Sequence, residues 1–336
     1  MVTVIHPRME DYERLALRWI DSAQKEYRDS HLMQALDFFP NMYNKNRDGI
    51  PQTDSDRAFW LVCQAAEILD KSIYETDDNA VILDLTATAT TYLDEALQLD
   101  PHCYDAVRMR QILDIESHAD YIEWLKSMSD EVKESCESIA KEAGMLPPDH
   151  MMGLSVFMRP YLRWLLNIAY EYYMCGHYRL ALETCTLIMD LDNHDCLGAR
   201  LLAAYVYVKL EDAEGLAGLI HMFNHEENAW FLLARCCMAY KQRRLEDAEQ
   251  LLRELAFSCD LGGNILMRQE EIPPALFGYH LVFAPGTSDE LFVAVSEAAV
   301  ILAENGGDYL SPMGSWIAMN PVIAELASTN ESEGTA

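Results

Sequence analysis

The chain has 336 residues, half of them hydrophobic, and carries 55 acidic against 25 basic side chains, a net charge of −30. That length and apolar content suffice for a substantial core, while a field of that sign repels phosphate backbones and excludes wholesale DNA or RNA binding. No window approaches ~18 uncharged apolar residues, so no membrane span is expected.

The amino terminus turns acidic at Glu10 and Asp11 and does not read as a secretory signal. Helix-period patterns then run nearly end to end, with almost no strand alternation. Residues 8–42, with Leu15, Leu17, Trp19, Ile20, Leu32, Leu36, Phe38 and Phe39, read as two helices. The stretch Asn44 to Pro51 is turn chemistry, after which Asp54 or Ser55 is placed to cap a helix carrying Phe59, Trp60, Val62 and Leu69. A helix follows over 81–99, interrupted in pattern by Thr86, Thr88, Thr90 and Thr91, and a long amphipathic stretch over 118–143. Gly144 and Pro147-Pro148 break the chain there.

From Pro160 a repeat emerges. Three hairpins are expected, pairing 160–175 with 178–191, 195–209 with 212–223, and 228–241 with 245–257. Tyr173, Tyr207 and Tyr240 hold equivalent places in them, 34 and 33 residues apart. A period near 34 is that of tetratricopeptide repeats, helix-turn-helix units that must stack to bury their apolar faces. Small residues recur as Ala169, Ala203 and Cys236 in the first helices and as Ala181, Gly215 and Ala248 in the second. Larger packers recur as Cys185, Leu219 and Leu252, and as Ile188, Met222 and Leu255. Arg235 breaks the pattern, standing where Ile168 and Leu202 are apolar, so the third register is open to a one-residue shift. Beyond 258 prolines punctuate a loop-rich stretch, followed by helices near 288–304 and 312–327 and a polar tail from Thr329 that is expected to be disordered.

The expected architecture is therefore all-α, a tetratricopeptide-like helix-turn-helix solenoid, or α-α superhelix. Its parts are an amino-terminal region of degenerate repeats (1–146), the repeat array (147–258), an irregular capping region (259–328) and the tail (329–336).

Arg159-Pro160-Tyr161-Leu162-Arg163 opens the array, and Leu191-Asp192-Asn193-His194-Asp195-Cys196-Leu197-Gly198-Ala199-Arg200 joins its first two units. These segments resemble bacterial tetratricopeptide proteins related to the suppression-of-tumorigenicity-seven family. In that group an Arg-Pro-Tyr-Met-Arg opening precedes a junction of the form Leu-Asn-Pro-Asn-Asp-Asn-Gln-Gly-Val-Arg. Asp195, Gly198 and Arg200 match; Asn193 replaces the proline, and Cys196-Leu197 the polar pair. Ile272-Pro273-Pro274 and Asp289-Glu290 resemble the family's ending, so the likeness spans about 92 to 317. It implies the fold and adds little about function.

In such a solenoid the first helices line a concave wall. The hairpin register places Arg163, Asn167, Tyr170, Tyr173, Arg200, Tyr207, Trp230, Tyr240 and Lys241 there, an aromatic strip with a few cations inside an acidic shell. Tyr, Trp and Arg dominate binding hot spots, and paired arginines receive carboxylates. The expected function is non-catalytic binding of a protein or peptide, acidic or carboxylate-bearing, on this wall. The alternative is self-assembly as a homo-oligomer, with another copy's helix in the groove. The competing structural interpretation has the tyrosines packing between units and the arginines pairing with local acids. A hidden enzyme or small-ligand sensor in 260–290 is a further alternative.

Nucleophile elbows, phosphate-binding glycine loops and His-Glu-x-x-His are absent, so no catalytic residue is expected. His221 and His225, His194 and Cys196, and Cys175 and His177 are close in sequence, yet no second pair stands at a structural-zinc spacing. No metal and no cofactor is expected. Nine cysteines without a Cys-x-x-Cys pair, most of them in apolar helical context (Cys63, Cys175, Cys185, Cys236, Cys237), suit a reducing compartment, and a cytoplasmic location is expected.

Overall fold

A computed structural model describes residues 7–26, 29–70, 72–74, 76, 78–115, 117–224, 227–272, 284–304 and 309–333. Among these the fold is all-α: seventeen α-helices and one antiparallel pair of two-residue strands. The chain divides into two compact units, Ile5–Trp164 and Leu165–Ala336.

The first unit contains α1 (Pro7–Glu26), α2 (Asp29–Asn46), α3 (Asp54–Asp70), α4 (Asn79–Leu99), α5 (Tyr104–Ile112), α6 (His118–Glu142) and the opening of α7 (Arg159–Met174). Helix α1 packs on α2 and α3, α3 on α4, and α4 on α5. Leu15, Phe39 and Ile50 form one buried cluster, with Tyr12 edge-on to Phe39 at 4.9 Å. The cap of α3 is Thr53 rather than Asp54 or Ser55. Its hydroxyl accepts from the Asp56 N–H at 3.2 Å, and the Asp56 carboxylate accepts from the Thr53 N–H at 2.8 Å, a reciprocal capping box. Asp78 and Ser117 cap α4 and α6 in the same side-chain-to-backbone manner. The four threonines of α4 do not break it. Each hydroxyl donates to the carbonyl four residues earlier, at 2.8 to 3.0 Å, which satisfies the side chain without disrupting the ladder. The short helix α5 is not expected from the sequence, because Cys103 gives no side-chain cap and nine residues give little periodicity.

The second unit continues with α8 (Tyr178–Leu191), α9 (Ala199–Leu210), α10 (Ala213–Met222), α11 (Ala229–Lys241) and α12 (Leu245–Ala256). Helix α9 packs on α8, α10 and α11, and α11 on α12. The small-residue positions are where these helices meet: Ala169, Ala203, Cys236, Ala181 and Ala248 are fully buried, and the Cys236 thiol lies 3.3 Å from the Ala248 carbonyl. That contact agrees with the register in which Cys236 matches Ala169 and Ala203. At Gly215 an added Cβ would sit 2.3 Å from the Tyr207 ring, so the glycine admits the tyrosine. Met222 departs from its repeat position: α10 ends at this residue, which is left exposed.

Helix α9 begins at Ala199 rather than near 195, because Asp192 to Gly198 form a capped turn. The chain continues through α13 (Gly262–Met267), α14 (Ser288–Glu297) and α15 (Ala299–Leu302). Strands β1 (Ala303–Glu304) and β2 (Tyr309–Leu310), then α16 (Pro312–Ala318) and α17 (Pro321–Glu333), complete it. Helix α13 packs on α17, α14 on α11, and α15 on α9. Helix α17 runs to Glu333, into the tail expected to be disordered. Pro273 and Pro274 lie outside the described residues.

Candidate functional site

The wall drawn from the repeat register is covered by the chain itself. On α9, beside the residues of the expected wall, the Tyr205 hydroxyl donates to the Ala294 carbonyl at 2.7 Å, and the Lys209 ammonium to the Val300 carbonyl at 2.9 Å. On α11 the Trp230 indole donates to the Glu297 carboxylate at 2.7 Å, and the Tyr240 ring lies 5.0 Å from Trp316. Helices α14 to α16 thus occupy the place where a partner was expected. The exposed strip read from sequence is corrected accordingly. Asn167, Tyr170, Tyr173 and Trp230 are buried, and only Tyr207, Tyr240 and Lys241 are half-exposed. Tyr173 faces Tyr178 of α8 at 6.1 Å, Tyr207 faces α10, and Tyr240 faces α16, so the three rings do not line one open surface. Lys241 reaches Glu211 at 3.2 Å. Burial pushes the Tyr173 and Tyr205 phenols well above their ordinary value, with the Glu297 carboxylate adding to both effects.

The two arginines of the expected strip are structural. Arg163 is buried and forks onto two carboxylates, Asp105 at 2.6 and 2.7 Å and Glu10 at 2.7 Å. Arg14 joins Glu10 at 2.8 Å, and Arg159 reaches the exposed side of the cluster through Glu13 at 2.6 Å. Burial opposes ionisation of Glu10, but the guanidinium groups of Arg163, Arg14 and Arg159 outweigh it and hold its carboxyl down to about 2. Arg200 is equally committed. Asp195, with no exposure, accepts from the Ala199 and Arg200 N–H groups at 2.7 and 3.0 Å and pairs with the Arg200 guanidinium at 2.9 Å. Gly198 takes φ 77° in the same turn, a conformation that favours glycine. Asp195, Gly198 and Arg200 are therefore one local device that starts α9.

An open concavity lies elsewhere in this unit. Helices α10 and α12 flank a groove of about 540 Å³ whose floor is α11, with Phe231, Leu232, Arg235 and Met238. Small and apolar side chains of α10 (Ala213, Ala217, Ile220) form one wall, and Asp247, Gln250 and Glu254 of α12 the other. Arg235 is exposed here, while Ile168 and Leu202, its equivalents in the expected repeat, are buried. The residue that broke the sequence pattern marks the groove. The signal is present in the sequence as the break in the apolar pattern at this position.

Other chemistry is sparse. None of the nine cysteines is in a disulfide, and burial pushes Cys103, Cys136 and Cys236 up to about 12, so their thiols stay protonated at neutral pH. Cys175, expected in an apolar setting, is exposed. Among the described residues no three His, Cys, Asp or Glu side chains converge as a metal site; His225 lies outside them. No helix among them is long and apolar enough to cross a membrane. Comparison with protein-family models, with curated proteins and with solved structures returns no significant match.

Proposed function

We propose that this chain is a non-catalytic, cytoplasmic tetratricopeptide-like repeat protein that binds a partner protein segment, and that it does so in the groove between α10 and α12. The single observation carrying this reading is the exposed Arg235 set in an apolar floor at a position where the two preceding repeats bury Ile168 and Leu202. An exposed arginine among apolar side chains in a concave slot has the composition of a binding hot spot. Repeat spacing, the hairpin contacts and the buried small residues support the tetratricopeptide-like reading. The resemblance to the suppression-of-tumorigenicity-seven group supports it too, although the matched residues Asp195, Gly198 and Arg200 serve the fold rather than a ligand.

Ala217 is exposed on the groove wall, so Ala217→Trp fills the slot without touching the core. Affinity capture with wild type and Ala217→Trp, both verified by circular dichroism, is expected to show named partners that only wild type retains. Identical captured sets would reject the groove. A second reading is self-association. It is favoured by one observation: α9 and α11 already accept α14 of this sequence, and an α14 from a second copy carries the same contacts. A light-scattering dilution series showing a monomer throughout would exclude it.

A further inference from the structure

We infer that the groove between α10 and α12 takes an amphipathic helix whose apolar stripe contains one carboxylate and is flanked on one side by basic residues. This rests on the groove reading above and adds the chemistry of the occupant.

The slot has the dimensions of a helix site. Its walls run from Ala213 to Ile220 and from Asp247 to Glu254, eight residues each, about 12 Å or two helical turns. Beyond those ends Met222 and Phe257 stand exposed, each 66% accessible. An amphipathic helix laid in an apolar groove is a recurrent mode of peptide recognition. An extended strand would instead need a sheet edge, and the second unit's described sheet is a single two-residue pair.

The charge layout decides the flanks. The α10 wall is small and uncharged, which suits the partner's apolar stripe. The α12 wall presents Asp247 and Glu254 on one edge, with Glu227 also lining the slot. Arg244 is already engaged by Asp247 at 2.5 Å, so it does not neutralise the rest. The edge is therefore negative, in a molecule of net charge −30, and a basic flank is attracted both at contact and at encounter. Arg235 in the floor is of opposite sign and lies against the partner's apolar stripe. An arginine enclosed there without an acceptor is costly, which calls for one carboxylate in that stripe and fixes the partner's register.

Two fluorescein-labelled helical peptides of 18 residues, identical in a leucine-alanine stripe with one central glutamate, test this. One carries lysines on the flank and the other glutamates. Fluorescence anisotropy with the full chain should show the lysine peptide binding at least tenfold more tightly. Asp247→Lys with Glu254→Lys should invert that order, and Ala217→Trp should abolish binding of both. No binding by either peptide, equal binding, an order that survives the charge reversal, or lysine-peptide binding that persists in Ala217→Trp each overturns the inference. The last outcome would mean diffuse attraction to the acidic surface. If the peptides fail while Ala217→Trp still strips partners from the capture experiment, the groove stands and only the assigned partner chemistry falls.

Discussion

Arg163 shows how a residue's role escapes its neighbours in sequence. It looks like an anion receptor at the start of a repeat, yet its acceptors Glu10 and Asp105 lie 153 and 58 positions away. No periodicity argument reaches that far. The same cluster makes a pH prediction. The Glu10 carboxyl is held at about 2 in the folded chain, against an ordinary value of 4.5. A lowered carboxyl value contributes stability that is present above about pH 4.5 and lost as pH falls towards about 2. The shift corresponds to something on the order of 3 kcal/mol, and breaking a buried pair costs about 3–5 kcal/mol. Glu10→Gln is therefore expected to lower the unfolding free energy from urea titration at pH 7 by that order. It should also flatten the decline of stability through the acid window. A variant with the wild-type acid profile would show that Glu10 does not carry this ionic load.

Helix α9 illustrates the next scale. Its start is set by Asp195, whose carboxylate serves two backbone donors and one guanidinium at once. Burial pushes the Asp195 carboxyl up while Arg200 and the N–H groups pull the other way. Removing the acid leaves Arg200 buried without its counter-charge and the first turn uncapped. Asp195→Ala should cost about 3–5 kcal/mol by denaturant unfolding, and Asp195→Asn less, since an amide oxygen still accepts from the backbone. Equal, small losses for both would mean that the turn is held by Asp192 and Gly198 alone. The start of α3 was legible in the sequence to within a residue or two, with Asp54 or Ser55 expected as its cap and Thr53 serving. The late start of α9 was not, because its cap is a seven-residue turn rather than a single side chain.

For residues 165–333 taken together, the apolar side chains of α14 and α15 (Leu291, Val295, Ile301, Leu302) are as buried as those of α9 and α11. These carboxy-terminal helices are part of that unit's core, and the aromatic wall is an internal surface. A chain ending at residue 285 should bind the dye ANS strongly and lose part of its cooperative thermal transition, because α9 and α11 would face water. If the shortened chain unfolds as sharply as wild type with no added dye binding, the carboxy-terminal helices are an accessory and the wall is a site after all. The groove between α10 and α12 would be unaffected by that result, since none of its lining residues belongs to α13–α17.

The sequence by itself determined the all-α class and the burial of small residues such as Ala169, Ala203 and Ala248, because helix period is local and set by the backbone. It also carried the anomaly at Arg235. Only the tertiary structure decided which faces are open. Exposure depends on what a distant segment covers: α14 to α16 lie on the aromatic wall, while α10 and α12 stand apart over Arg235. A side chain's direction follows from its helix, but its solvent contact follows from the rest of the chain.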